Sequence, residues 1–151
     1  MQPPSTTTIA LASDHAGFEQ KRQLTAWLKT QGFKMCDLGP ATGERVDYPD
    51  YAALVAKAVA QGEADFGVLI CGTGIGMAIA ANKTAGIRAA NITNPQFAAL
   101  AREHNDANVI ALSARFVDLK INQQALAAFL ATPFAGGRHA SRVEKITALE
   151  C

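Results

Sequence analysis

FGVLICGTGIG, residues 66 to 76, joins an apolar run to a glycine-rich turn, and this junction decides the fold class. The run Phe66–Ile70 is typical of a buried strand, and the residues that follow the turn, Met77–Lys83, are typical of a helix. Glycines in such a turn let backbone N–H groups face outward, and the start of a helix adds positive potential, so the turn can hold an anion. The same potential would favour a thiolate at Cys71, where the strand ends. A base beside an anion site suggests carbanion or enolate chemistry.

Apolar runs and helical patterns alternate along the rest of the chain. Strands are predicted at Thr8–Ser13, Phe33–Leu38, Phe66–Cys71, Gly86–Asn91 and Asn108–Leu112. Helices are predicted at Asp14–Gln31, Met77–Lys83, Asn94–Glu103, Val117–Ala131 and Arg138–Leu149, with one more that Asp50 caps and Gly62 ends. The strands are continuously apolar, as expected of a parallel sheet covered on both faces. We therefore expect a Rossmann-like three-layer α/β sandwich, in which five parallel strands are flanked by helices, an extra helix ends the chain, and the ligand lies at the C-terminal edge of the strands.

Composition limits the classes of partner. The chain has 151 residues, of which 49% are hydrophobic and 18% charged, and its formal net charge is +1. We expect one soluble domain at residues 8–151 after a flexible tail at residues 1–7. The near-neutral charge gives no general case for nucleic acid or for a membrane surface. Neither a signal peptide nor a membrane span is expected, because the start of the chain lacks basic residues and the longest uncharged stretch is short and rich in glycine.

The cysteines and histidines predict neither a disulfide framework nor a metal site. The three cysteines, Cys36, Cys71 and Cys151, are odd in number and contain no CxxC pair. The three histidines are far apart in sequence and form no HxxxH motif. Both patterns favour a reducing, cytoplasmic compartment and no bound metal.

The glycine turn also has less specific interpretations. Turns of this kind bind dinucleotides, but Met77 occupies the third glycine position here, and no Asp or Glu lies between Asp65 and Glu103 to bind a ribose. A nucleotide cofactor is therefore disfavoured. A lone cysteine is as often a small buried apolar residue as a nucleophile, and only the adjoining turn favours a catalytic role for Cys71.

Several polar residues outside the turn are further candidates. Asp14 and His15 follow the first strand, where Asp14 can cap a helix and both can face a ligand. His104 and Asn105 end the fourth helix, where a histidine is often only a partner of the helix dipole. Arg138 and Arg142 share one helical face, which is either a solvated basic stripe or a phosphate site that Arg115 could join.

Seven segments together resemble a known family in matching order, from the first strand to the last helix. They are Ala12–Phe18, Asp47–Pro49, Cys71–Gly76, Ile79–Lys83, Gly86–Ala89, His104–Val109 and Gly136–His139. The chain resembles the ribose-5-phosphate isomerase B branch of the sugar-phosphate isomerases, a family that also contains allose- and galactose-6-phosphate isomerases. The resemblance implies a metal-free interconversion of an aldose and a ketose phosphate through a cis-enediolate, with no cofactor.

The resemblance also assigns roles to individual residues. Cys71 would be the base, Thr73 would orient its thiol, and the amides of Gly72, Gly74, Ile75 and Gly76 would hold the enediolate oxygen. His104 would be the acid that opens the sugar ring, with Asn105 beside it. Asp14 would contact sugar hydroxyls, Tyr48 would line the ring pocket, and the phosphate would be held by His15, Arg115, Arg138 and Arg142.

The family further implies a homodimer, or a tetramer, in which two subunits share each active site. Two alternatives stay open at this point. A six-carbon sugar phosphate could be the substrate, since one carbon changes the required pocket length only a little. A non-catalytic sugar-phosphate binding module is the other, although Cys71, Thr73 and His104 are all present.

Overall fold

The computed structural model describes residues 7–150 and contains one five-stranded sheet. The strands are β1 (Thr8–Ser13), β2 (Lys34–Asp37), β3 (Phe66–Cys71), β4 (Ala89–Asn91) and β5 (Val109–Ser113). All neighbouring strands are parallel, and their order across the sheet is β2-β1-β3-β5-β4. The predicted parallel α/β fold is confirmed.

Helices cover both faces of this sheet. They are α1 (Phe18–Thr30), α2 (Tyr48–Ala60), α3 (Ile75–Ala81), α4 (Pro95–Asn105), α5 (Leu119–Ala131) and α6 (Arg138–Thr147). One buried cluster joins the sheet to α1, α4 and α5, with Leu24, Ala98 and Phe129 among its members. A second cluster joins the opposite face to α2 and α3, with Val55 and Met77 among its members. Each fully buried large side chain contributes roughly 1.5–3 kcal/mol, so burial on both faces holds the three layers together.

The strand order creates a switch point between β1 and β3. From β1 the chain moves outward to β2, whereas from β3 it moves to the other side of the sheet, towards β5 and β4. Connections that diverge in this way leave a crevice at the C-terminal ends of the two strands, where ligands of open α/β sheets bind. The glycine turn follows β3 at this position.

Several element boundaries differ from those expected. The first helix begins at Phe18 rather than Asp14, because the Asp14 carboxylate accepts the Gly17 N–H and stabilises a turn before the helix. The second helix begins at Tyr48, with Asp47 at the cap position, so Asp50 lies inside its first turn. Pro49 favours this earlier start, because its ring fixes the backbone angle that a first turn needs.

The fourth strand is shorter than expected, and the third helix starts earlier. Gly86 has φ +87°, and the side chain of Asn108 accepts the Arg88 N–H and donates to the Gly86 carbonyl. These contacts replace ladder hydrogen bonds, so β4 begins only at Ala89. The helix after the glycine turn begins at Ile75 rather than Met77.

Thr7 is the one residue of the predicted tail that the structure describes. Residues 1–6 and Cys151 lie outside the described residues. Thr7, which the sequence assigned to the tail, is 8% exposed, and its carbonyl accepts the Lys34 N–H at 3.0 Å. Thr7 therefore packs against the sheet in the described structure.

Candidate active site

The end of β3 places a buried thiol inside the glycine turn. Cys71 is the last residue of β3 and is only 5% exposed. Its sulfur accepts a hydrogen bond from the Gly74 N–H at 3.1 Å. Gly74 lies in the left-handed region at φ +84°, and a Cβ there would overlap the Asn91 side chain. Because only glycine fits this position without strain, the turn can aim a backbone N–H at the sulfur.

Some of the other polar groups of the turn are engaged within it. The Ile75 N–H donates to the Thr73 hydroxyl at 3.1 Å. Asn91 braces the turn from β4, since its side chain donates to the Thr73 carbonyl at 3.2 Å. In the described part of the chain, the hydrogen bond to the Cys71 sulfur comes from Gly74 and not from Thr73. Two of the four amides expected to face substrate, those of Gly74 and Ile75, therefore have acceptors inside the turn itself.

Two large side chains lie against the remaining glycines of the turn. The Tyr48 ring covers Gly76, where an added Cβ would lie 2.5 Å from the ring carbon Cε1. The Arg115 guanidinium lies beside Gly72, where an added Cβ would lie 3.2 Å from Nη1. Tyr48 comes from the start of α2 and Arg115 from the connection after β5, so segments far apart in sequence meet at this turn.

The end of β1 brings two more predicted residues to the same edge of the sheet. The Asp14 N–H donates to the Ile70 carbonyl of β3 at 3.2 Å. Asp14 is 7% exposed, and its carboxylate accepts the Gly17 N–H at 3.1 Å. His15 Nδ1 accepts the Val46 N–H at 3.4 Å, which links it to the loop before α2. We call this group the turn cluster: Asp14, His15, Tyr48, Cys71–Gly76 and Arg115.

The remaining predicted residues lie on α4 and α6, close to where α4 ends and α6 begins, in a group that we call the helix-end cluster: His104, Asn105, Arg138 and Arg142. His104 and Asn105 end α4, while α6 begins at Arg138. The ring of His139 stacks on that of His104, with centroids 4.3 Å apart and an interplanar angle of 13°. The segment before α6 is tied to α4 through the Ala135 N–H, which donates to the Glu103 carbonyl.

The charges of the helix-end cluster act on His139. Its partial burial, together with the nearby His104, Arg138 and Arg142, holds the pKa of His139 below its ordinary value, and Glu103 opposes this shift. The Glu103 Oε1 lies 3.9 Å from the His104 Nε2. His139 was not among the predicted site residues. Its place beside Arg138 in sequence was visible, but its stacking on His104 depends on how α4 and α6 pack.

Within one chain, the two clusters lie at opposite ends of the strands. His104 precedes β5, which starts at Val109, whereas Cys71 pairs with the last residue of that strand, Ser113. Four residue steps along a strand cover about 13 Å. A sugar phosphate bound at Cys71 therefore does not reach His104 of the same chain.

Within one chain, Arg115 lies apart from Arg138 and Arg142. The sequence analysis allowed it to join Arg138 and Arg142 in one phosphate site. Arg115 follows β5 and lies beside Gly72, in the turn cluster, whereas both other arginines are on α6. In one chain, the four residues assigned to phosphate are thus divided between the two clusters. His15 and Arg115 lie in the turn cluster, and Arg138 and Arg142 lie in the helix-end cluster.

A cavity borders each cluster. One of about 400 Å³ is lined by Thr73, Ile75 and Phe116 beside the turn cluster. Another of about 690 Å³ lies between α6 and the segment before β4, and reaches Asn105 of the helix-end cluster. Within residues 7–150, His, Cys, Asp and Glu side chains form no group of three or more that could hold a metal ion. Over the same residues, no helix combines the length and the apolar character needed to cross a membrane.

Comparisons with known proteins agree on one family. The family model described as Ribose/Galactose Isomerase matches residues 9–146. The chain is 50% identical over 142 residues to ribose-5-phosphate isomerase B of Escherichia coli, covering 94% of this chain and 95% of the relative. It also resembles the structure of ribose-5-phosphate isomerase B from Clostridium thermocellum, with TM-score 0.94 and 48% identity over 95% of this chain and 97% of the other.

A further relative was solved with a ligand. The structure of ribose-5-phosphate isomerase B from Mycoplasma genitalium with bound ribulose-5-phosphate has TM-score 0.91 and 45% identity to this chain. It covers 94% of this chain and 95% of the other. From the match of sequence and fold over nearly its whole length, the chain belongs to the ribose/galactose isomerase family and is an isomerase.

Proposed function

We propose that the chain interconverts D-ribose 5-phosphate and D-ribulose 5-phosphate as a homodimer. The observation that carries this proposal is the buried Cys71 thiol at the switch point, whose sulfur accepts the Gly74 N–H. Relatives named for this reaction are about half identical to the chain over nearly its full length, which supports the choice of a five-carbon substrate.

The chemistry is a proton transfer between neighbouring carbons of the open-chain sugar. Cys71, as thiolate, removes the proton on C2 of the aldose, and the electrons of that bond form the C1–C2 double bond of a cis-enediolate. The same sulfur returns the proton to C1, while the proton on the C2 hydroxyl moves to the oxygen on C1. No atoms are gained or lost, and no electron acceptor is needed, so the reaction requires no cofactor.

The negative charge of the enediolate needs a fixed set of donors. Backbone N–H groups aimed at a developing oxyanion usually supply the largest stabilisation in such reactions. We assign this role to the glycine turn. The donors are the Gly72 and Gly76 amides, because the Gly74 and Ile75 amides already donate to Cys71 and Thr73. Gly74 and Ile75 then act indirectly, because Gly74 orients the sulfur and Ile75 holds Thr73.

Ring opening requires a second chain. His104 donates a proton to the ring oxygen of the furanose as the bond from that oxygen to C1 breaks, and the C1 hydroxyl loses its proton to water to give the open-chain aldehyde. Asn105 binds beside His104. The strand length between the clusters supports an arrangement in which these residues serve the Cys71 of a second copy. In a two-fold dimer, the turn cluster of each chain would meet the helix-end cluster of the other, so the dimer would contain two complete sites.

The remaining side chains bind the substrate. Asp14 accepts hydrogen bonds from sugar hydroxyls and Tyr48 forms one wall of the pocket against Gly76. His15 and Arg115 of one chain hold the phosphate together with Arg138 and Arg142 of the other, because guanidinium groups match phosphate oxygens in pairs. Substrate phosphate would therefore bridge the two chains.

The direct test is an isomerase assay in the presence of EDTA. Purified protein is incubated with ribose 5-phosphate, and ribulose 5-phosphate is measured together with the exchange of solvent deuterium into the sugar. We expect turnover to fall about 10²–10⁴-fold in Cys71→Ala, as for loss of a general base, and to persist in the matched control Cys36→Ala. Undiminished turnover in Cys71→Ala would exclude the thiol as the base. Inactivity of the wild type on every sugar phosphate would favour a binding module.

One observation keeps a six-carbon substrate in consideration. The matching family model is described as Ribose/Galactose Isomerase, which names a six-carbon sugar beside the five-carbon one. Comparing kcat/KM for ribose 5-phosphate and for allose and galactose 6-phosphates on one preparation decides between them. A higher value for a hexose phosphate would replace the pentose assignment and leave the thiol mechanism intact.

A further inference from the structure

We propose that the side-chain amides of Gln20 and Asn122 are positioning groups that fix Arg115 over the glycine turn. This inference rests on the proposed function, in which Arg115 binds the substrate phosphate. Neither amide contacts the turn cluster through its own side chain, and both act on the backbone segment 113–117 that carries Arg115.

Asn122 is the centre of this arrangement. It lies on α5, is fully buried, and its Nδ2 donates to the Ser113 carbonyl at 2.9 Å and to the Gln20 Oε1 at 2.8 Å. The amide therefore links the end of β5 to a side chain of α1, more than ninety positions away in sequence.

Gln20 continues the link to the far side of the same segment. Its Nε2 donates to the Ala114 carbonyl at 3.4 Å and to the Val117 carbonyl at 3.3 Å. Arg115 thus lies between two carbonyls that one amide holds. Rotating the amide of Gln20 or Asn122 by half a turn would place oxygen against oxygen, so each orientation determines the other.

Ser113 connects the same segment to the glycine turn. Its hydroxyl donates to the Gly72 carbonyl at 2.7 Å and accepts the Phe116 N–H at 3.1 Å. The Gly72 carbonyl also accepts the Arg115 N–H at 3.1 Å. The backbone of Arg115 and the glycine that its guanidinium covers are therefore held as one unit.

The guanidinium of Arg115 itself depends on this support. Among the described residues, the ion pairs involve Lys21, His104 and other arginines, and Arg115 forms none. No ion pair fixes the guanidinium, so its position depends on the backbone that carries it and on its packing beside Gly72. The amide pair sets that backbone.

A purely structural role explains Asn122 less well. Its Oδ1 is buried without a hydrogen-bond partner within residues 7–150, an arrangement that an apolar side chain of similar size would avoid. We therefore assign the role of Asn122 to the hydrogen bonds that its Nδ2 donates, and not to packing in the core.

The test is a double-mutant cycle between Asn122→Leu and Arg115→Ala on the full chain. We measure KM and kcat for ribose 5-phosphate, the inhibition constant of inorganic phosphate, and the melting temperature. For Asn122→Leu we expect KM and the phosphate inhibition constant to rise about fivefold, the effect of one hydrogen bond, with kcat within about twofold of wild type. In the double variant, KM should equal that of Arg115→Ala alone.

Matched variants keep the result interpretable. Thr132→Val removes a hydrogen bond to the Ala128 carbonyl on the same helix, far from the turn, and should leave KM and the phosphate constant unchanged. If Asn122→Leu does not fold, Gln20→Leu replaces it, because Gln20 is only partly buried and contacts the same segment.

The outcomes separate this inference from the proposed function. Two results with an active wild type overturn the positioning role and leave the isomerase assignment. In the first, the effects of Asn122→Leu and Arg115→Ala on KM add. In the second, Asn122→Leu lowers kcat while KM and the phosphate inhibition constant do not change. An unchanged KM in Arg115→Ala removes its phosphate role and this inference with it. A wild type inactive on all sugar phosphates refutes the proposed function itself.

Discussion

The turn cluster and the helix-end cluster are built on different principles. In the turn cluster, Cys71 is 5% exposed and hydrogen bonds from the backbone hold the sulfur and its neighbours. In the helix-end cluster, the His104 side chain is 39% exposed, and α6 has no buried residue. The turn cluster is held together mainly by hydrogen bonds within its own chain, whereas the helix-end cluster has surfaces that a partner can cover.

The difference has a consequence for catalysis. Strand ends in a parallel sheet have little freedom, so the proposed base and anion donors are pre-organised before substrate binds. The helix-end cluster carries its charges and the proposed ring-opening acid on more exposed side chains, which lose entropy when they are ordered. We therefore expect the turn cluster to be sensitive to backbone changes and the helix-end cluster to be sensitive to assembly.

The largest predicted effect is recovery of activity by mixing two inactive chains. Cys71→Ala and His104→Ala each lose one half of the shared site. In a mixed dimer, one site lacks both groups and the other retains both. After subunits are exchanged by dilution and reassembly, activity should return to about a quarter of wild type, because half of the dimers are mixed and each has one working site. Activity that stays at the level of the two separate variants would show that each site lies in a single chain.

Removing the proposed ring-opening acid should affect isomerisation more than proton exchange. His104→Phe keeps an aromatic ring against His139 but has no proton to donate. We expect turnover of cyclic ribose 5-phosphate to fall about 100-fold, and the exchange of solvent deuterium into open-chain ribulose 5-phosphate, which needs no ring opening, to fall much less. His104→Ala, which also removes the stack, is the comparison variant. Equal losses in the two measurements would mean that His104 does not act mainly in ring opening.

A methyl group added to the glycine turn should reduce both stability and activity. Gly74→Ala forces a side chain into φ +84° and against Asn91, which costs about 1–3 kcal/mol of unfolding free energy and moves the N–H away from the sulfur. The matched control is Gly136→Ala at φ +65°, where nothing lies within 4 Å of the added carbon. Chemical unfolding and kcat should both fall more for Gly74→Ala. Similar losses in the two variants would show that the crowding at Gly74 is unimportant.

The smallest effect concerns the pH dependence of the helix-end cluster. The pKa of His139 is lowered in the folded chain, so the unfolded chain binds more protons as pH falls through the ordinary histidine value of about 6.5. The contribution of His139 to the free energy of unfolding is fully present above the pKa of the unfolded chain and is lost as pH falls through the lower pKa of the folded chain. His139→Phe keeps the stack and removes this titration, so its melting temperature should fall less than that of wild type on acidification below about pH 6.5. Parallel curves for the two proteins would contradict the shift.

Some of these features were accessible from local sequence patterns, and others were not. The five strands, the glycine turn and the position of Cys71 at a strand end follow from apolar runs and glycine spacing, which act over a few residues. The start of α2 at Tyr48 instead of near Asp50 was missed, although Pro49 was a signal for it. The shortening of β4 was not predictable locally, because it depends on the side chain of Asn108, some twenty positions later.

The candidate residues divide in the same way. The sequence nominated the side chains proposed to carry the chemistry, because Cys71 with its turn, His104 and Arg138 belong to the segments that resemble the family, and Arg142 shares a helical face with Arg138. Where these side chains lie depends on tertiary packing. Within one chain, packing places Arg115 beside Gly72 and apart from Arg138, stacks His139 on His104, and brings Gln20 and Asn122 to the Arg115 segment. The physical reason is that such contacts arise from the order of parallel strands and the packing of helices, which local spacing does not encode.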